Sequence, residues 1–127
     1  MGMDQSVTFA EEVPTWDTVQ QLLAARGYPV QMRMIDGQLA FPDEAPPEAW
    51  RELRVGTSQG MVTLRRDGQR LLFVTWGDAD VVMRQAWNAL TWAFAAAGGG
   101  TIQTAEGPCE LADFLQHGEL PAVLRAT

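Results

Sequence analysis

Two Asp-Gly dipeptides, Asp36-Gly37 and Asp67-Gly68, each stand between two runs in which apolar residues alternate. Asp-Gly is favoured where a two-residue turn needs positive φ at both central positions, the turn that joins adjacent antiparallel strands. The chain is therefore committed to two β-hairpins. In the first, Val30, Met32 and Met34 alternate with Gln31 and Arg33, and Leu39 and Phe41 return. A two-residue turn sets Met34 opposite Leu39 and Met32 opposite Phe41. In the second, the same rule sets Leu64 opposite Leu71, Val62 opposite Phe73, Thr63 opposite Leu72 and Met61 opposite Val74. Apolar residues on both faces of this hairpin predict a central place in the sheet.

Helical periodicity fills the flanks. Thr15 can cap a helix over about Trp16–Arg26, with Gly27 and Pro29 as its stop. Met83, Trp87, Leu90 and Phe94 form the stripe of a longer helix over about Ala79–Ala97, with Asp78 as N-cap, Asp80 in the first turn and Gly98-Gly99-Gly100 at its end. Its C-terminal half is apolar nearly all round, so it is expected to be buried on more than one side. Thr101–Thr104 reads as a short strand, Glu110–His117 as a helix, and Leu120–Leu124 as one further turn. Pro42–Gly60 reads as an irregular segment with a helical turn or two near Glu48–Leu53, a short extended Arg54-Val55 and a loop over 56–60.

The expected fold is α+β. It is a mainly antiparallel sheet of four to five strands, built from the two hairpins, with a long helix and one or two further helices packed on one face. Residues 1–13 are expected as a tail or edge strand, and 14–127 as a single domain, which suits a chain of 127 residues.

Composition narrows the chemistry. The net charge is −7, and all nine basic residues are arginine. Without lysine there is no Schiff-base amine and no P-loop lysine. The acidic balance disfavours a nucleic-acid backbone and an anionic membrane surface. One cysteine, Cys109, and one histidine, His117, can furnish neither an internal disulfide nor a structural zinc site. No stretch approaches the ~20 apolar residues of a membrane-spanning helix. The polar N-terminal stretch lacks the features of a signal peptide. A cytoplasmic protein without cofactor is expected.

Local motifs have structural explanations. Asp78 and Asp80 fit a helix cap as well as a cation or an enzyme's carboxylate pair. Asp43, Glu44 and Glu48 fit a solvated loop as well as a dock for a basic partner. Cys109 lies where a helix start could stabilise a thiolate, but has no basic neighbour in sequence. Two features stand out. Arg65 and Arg70 are predicted opposite one another, where like charges repel unless an anionic group separates them. There are also five tryptophans, and tryptophan and arginine are common interface anchors.

The leading expectation is a non-enzymatic binding or regulatory module with a protein partner, using Trp50, Arg51, Arg54, Arg65 and Arg70. In composition the chain resembles small acidic inhibitors and toxin-neutralising proteins. A second reading is a small-molecule binder with an aromatic cleft of Trp76, Trp87 and Trp92 between sheet and long helix. A third is an enzyme using Asp78 or Asp80. A homodimer through an exposed sheet face is compatible with each.

Overall fold

Among the described residues, eight antiparallel strands form one sheet, with the helices gathered on one of its faces. The computed structural model describes residues 2–76 and 79–125, with side chains from residue 5 onward except those of Trp76 and His117. The elements in chain order are β1 (Gly2–Thr8), α1 (Trp16–Ala25), β2 (Val30–Ile35), β3 (Gln38–Leu39), β4 (Glu52–Thr57), β5 (Gly60–Asp67), β6 (Arg70–Trp76), α2 (Val81–Gly98), β7 (Thr101–Thr104), β8 (Gly107–Cys109), α3 (Leu111–His117) and α4 (Ala122–Arg125). The strand order is β3-β2-β4-β5-β6-β1-β7-β8.

The α+β class holds, but the sheet has eight strands where four to five were expected. Three differences account for the larger number. Residues 52–57, expected as the end of a helical turn, a short extended Arg54-Val55 and the start of a loop, form β4, hydrogen-bonded to β2 on one side and β5 on the other. Leu53 and Val55 alternate inward, but Arg54 and Gly56 leave this alternation too short to register as a pattern. Residues 107–109 add β8. The N-terminal segment is no tail or edge. As β1 it lies between β6 and β7, with Val7 opposite Leu71 on one side and Ile102 on the other.

The second hairpin is central, but its register differs from the expected one. Asp67 pairs with Arg70, Arg65 with Leu72 and Leu64 with Phe73. The turn residues are Gly68 and Gln69, with Gly68 alone taking the positive φ (62°). Moving the turn by one residue replaces a like-charged cross-strand pair by an opposite-charged one, the favourable arrangement. In the first hairpin Asp36 (φ 49°) and Gly37 (φ 84°) both take positive φ, and Met34 faces Leu39 as expected. The expected Met32–Phe41 pair does not form. β3 ends at Leu39, Met32 pairs with Val55 of β4, and Leu39 and Phe41 are 88% and 74% exposed.

One side of the sheet is core. Val7, Leu53, Val55, Val62, Leu64, Leu71, Phe73 and Ile102 are all buried. α2 packs across β5, β6, β1 and β7, with α1 and α3 against its other side. Residues 86–95 are buried without interruption, as the apolar girth of that helix implies. Asp80 is its N-cap, accepting from the Met83 N–H at 2.8 Å; the Asp78 expected there lies outside the described residues. Gly99 (φ 67°) closes the helix, and Gly100 has no room for a Cβ because Val7 and Phe9 press against it. A buried polar link ties β1 to α2. The Gln5 amide donates to Asn88 Oδ1 and Thr91 Oγ1, both at 2.8 Å. The sheet edges are short: two residues in β3, and three in β8 including Pro108. Both features discourage edge-to-edge pairing.

Candidate functional site

The helix-free side of the sheet follows from the same alternation that makes the core. The residues that point away from α2 fall into cross-strand rows. One row runs Glu52, Arg65, Leu72, Ser6, Gln103, Pro108, and the next holds Arg54, Thr63 and Val74. Leu72, Val74 and Thr63 are half-buried, and Met61 is exposed. Arg33, at the bulge of β2, lays its side chain over Gly56, where a Cβ would come within 2.7 Å of its Nε. Among the described side chains this face carries Arg33, Arg54, Arg65 and Arg70 against Glu52 and Asp67. Arg65 pairs with Glu52 at 3.2 Å. Arg54 Nε is buried and meets no acceptor among the described residues.

Three of the five expected partner-binding residues, Arg54, Arg65 and Arg70, therefore share one face. Trp50 and Arg51 do not join them. Trp50, expected to meet a partner, is 3% exposed. The Arg66 guanidinium covers its ring at 4.3 Å and donates to Glu48 O at 2.7 Å. Burial pulls the Arg66 pKa below the usual arginine value, and the Asp36 carboxylate opposes that shift. Arg51 is held by its backbone. Asp36 accepts the N–H groups of Arg51 and Glu52 at 2.7 and 2.9 Å. Those two bonds, Glu52 first, hold the Asp36 carboxyl below its ordinary value.

A groove of about 350 Å³ opens beside Trp50. Its walls are the stretch leading into α1 (Glu11–Trp16), the segment Pro46–Trp50, and the β5–β6 turn with Arg66, Gly68 and Gln69. Gln69 fixes one wall: its amide donates to Glu11 O at 2.5 Å, and its carbonyl accepts from Phe9 N at 2.9 Å. Trp16 Nε1 and Arg66 Nε are both buried without an acceptor among the described residues. Trp16, read from the sequence as the start of a helix, was not among the expected site residues. Nothing local could join positions 16, 50 and 66, which meet only through the fold.

Of the expected aromatic cleft, the two described side chains are held by packing. Trp87 donates its indole N–H to Phe73 O at 2.6 Å, and Trp92 lies under Arg26, 4.8 Å from the guanidinium carbon. Both are buried, and neither lines the groove beside Trp50 or a second hollow near Ile35 and Leu39. The Trp76 and His117 side chains lie outside the described residues. The Cys109 thiol is pushed up by burial, and then by Asp113 and Glu110, the opposite of an activated nucleophile. Among the described residues no three His, Cys, Asp or Glu come together as a metal site, and no helix is long and apolar enough to cross a membrane.

Comparison of the chain with protein-family models, with curated proteins and with solved structures finds no match.

Proposed function

We propose that this protein is a non-enzymatic binding module whose helix-free sheet face engages an acidic surface of another protein. The observation that carries this reading is the gathering of Arg33, Arg54, Arg65 and Arg70 on the one sheet face that also presents half-buried Leu72 and Val74. A partner carboxylate against these guanidinium groups would form charge-assisted hydrogen bonds. Arginine beside aliphatic surface is also the composition enriched at protein interfaces.

The charge favours a different chain over a second copy. Two copies meeting symmetrically through this face would set arginine against arginine. Docking it on the acidic remainder of another copy would be head-to-tail, an arrangement that closes only as a ring.

The test uses the complex recovered with the full chain. Arg54→Ala and Arg65→Ala together should weaken a stoichiometric protein companion at least about tenfold, the equivalent of ~1.4 kcal/mol. The affinity should also fall as salt rises. Unchanged affinity in the double variant would sink the assignment. Trp50→Ala is not a usable probe, because deleting a buried tryptophan costs about 3–5 kcal/mol of stability by itself.

A further inference from the structure

The two Asp-Gly dipeptides are chemically alike and structurally unlike. Aspartate followed by glycine is prone to cyclise on itself, because glycine has no side chain to keep its nitrogen from the aspartate carboxyl. Both aspartates are exposed, and a Cβ built on either Gly37 or Gly68 would meet nothing within 4 Å. Dipeptide and exposure alone therefore do not tell the two apart.

Hydrogen bonding does. Asp36 is tied at three points. Its N–H donates to Glu52 O at 2.8 Å, and its Oδ1 accepts from Arg51 N and Glu52 N at 2.7 and 2.9 Å. Cyclisation requires the carboxyl and the backbone to rotate toward the next nitrogen, and these bonds resist that rotation. Cyclisation also expels water, which needs a protonated carboxyl. The bonds from Glu52 N and Arg51 N hold the Asp36 carboxyl below its ordinary value, and so in the ionised form. Asp67 has no such restraint. It ends β5 opposite Arg70, and its carboxylate makes no hydrogen bond or ion pair among the described residues. Gln69, the second turn residue, is anchored to Phe9 and Glu11, but no bond of that kind holds the Asp67 side chain. Opening the pair that closes the turn frees it, and local openings of this size cost little.

We propose that Asp67-Gly68 is a site of spontaneous isoaspartate formation, and that Asp36-Gly37 is protected from the same reaction. At Asp67 the Gly68 nitrogen forms a bond to Cγ, the Cγ–OH bond breaks, and water leaves with the amide proton. The succinimide takes water back at the Asp67 main-chain carbonyl, whose bond to the Gly68 nitrogen then breaks. A free α-carboxylate remains, and the main chain runs through Cβ and Cγ. No oxidant or reductant takes part, and the mass is unchanged. The backbone gains one methylene just ahead of Gln69, whose carbonyl accepts from Phe9 N and whose amide donates to Glu11 O. The new linkage is a substrate for an isoaspartyl carboxyl methyltransferase. The rearrangement needs no partner, so it stands whatever the arginine face binds.

The experiment stores the full chain, folded, at near-neutral pH beside two short peptides, one spanning each Asp-Gly. Samples are labelled by such a methyltransferase with tritiated S-adenosylmethionine, and the isomer is located by electron-transfer fragmentation. The ratio of the two sites in the folded chain is read against their ratio in the peptides. On that scale isoaspartate at Asp67 should lead that at Asp36 by at least about tenfold, a rate ratio that one charge-assisted hydrogen bond can supply. Asp67→Glu, whose longer side chain closes a six-membered ring far more slowly, should remove the label. Equal conversion at the two sites would overturn the proposal, as would a lead at Asp36. An intact Asp67 after its peptide has converted would do the same, and so would a label that survives in Asp67→Glu.

Discussion

Asp36 shows how much one exposed carboxylate can organise. It takes a positive φ that an L-residue rarely adopts, tolerated by aspartate because its short side chain bonds locally. From there it reaches across to the N–H groups of Arg51 and Glu52, where β4 begins. These bonds favour the charged form, so its folded pKa lies below its unfolded one. The stabilisation is therefore complete above the unfolded pKa and disappears as pH falls through the folded one. Asn tolerates the same backbone conformation and offers a neutral acceptor, so Asp36→Asn isolates the charge. The variant should melt a few degrees below the parent at neutral pH, and the gap should close as pH drops below the ordinary carboxylate range. A constant gap from neutral to acid pH would mean that the charge contributes nothing. The sequence shows Asp36 only as a turn residue. Its grip on residues 51 and 52 depends on β4, of which local pattern revealed only the extended Arg54-Val55.

At the scale of elements, the β5–β6 hairpin holds the sharpest contrast. With Gly68 and Gln69 as turn residues, Asp67 faces Arg70. Arg70→Glu should therefore destabilise, by about 0.2–1 kcal/mol, because it sets like charges opposite one another. Had Arg65 faced Arg70, the same change would have stabilised. The sign of the shift in the urea midpoint decides between the registers. The inward and outward sets of residues are the same in both registers, because the shift in pairing is by two residues. This is why the buried set of the hairpin was legible while its partners were not. α1 and α2 were legible almost to their ends, since caps and 3.6-residue periodicity are local. β4 and β8 were not, since six and three residues owe their strand state to neighbours far away in sequence. The groove failed to show for the same reason. Its tryptophans were visible, but their company was not. Trp50 was expected to meet a partner because nothing nearby in sequence announces Arg66.

For the molecule as a whole, β1 is the keystone of the sheet. It joins the β3-to-β6 block to the β7–β8 hairpin and anchors α2 through Gln5, Asn88 and Thr91. Deleting residues 1–8 would expose facing edges on β6 and β7, remove Val7 from the core and leave Thr91 and Asn88 without their donor. The shortened chain should show no cooperative thermal transition, and its amide spectrum should collapse to the narrow dispersion of an unfolded chain. Native-like dispersion would show that the remaining strands close up without it. Pairings between the first strand and residues 62 to 97 positions further on also imply slow folding for the size, on the order of milliseconds to seconds. The same feature sets a timetable on the ribosome. The first strand made is flanked on its second side only when β7 emerges, roughly 5 to 20 s later at a synthesis rate of about 5–20 residues per second. Until then the row from Glu52 to Pro108 does not exist as a surface. Only once residues 101–109 have left the ribosome is that row whole.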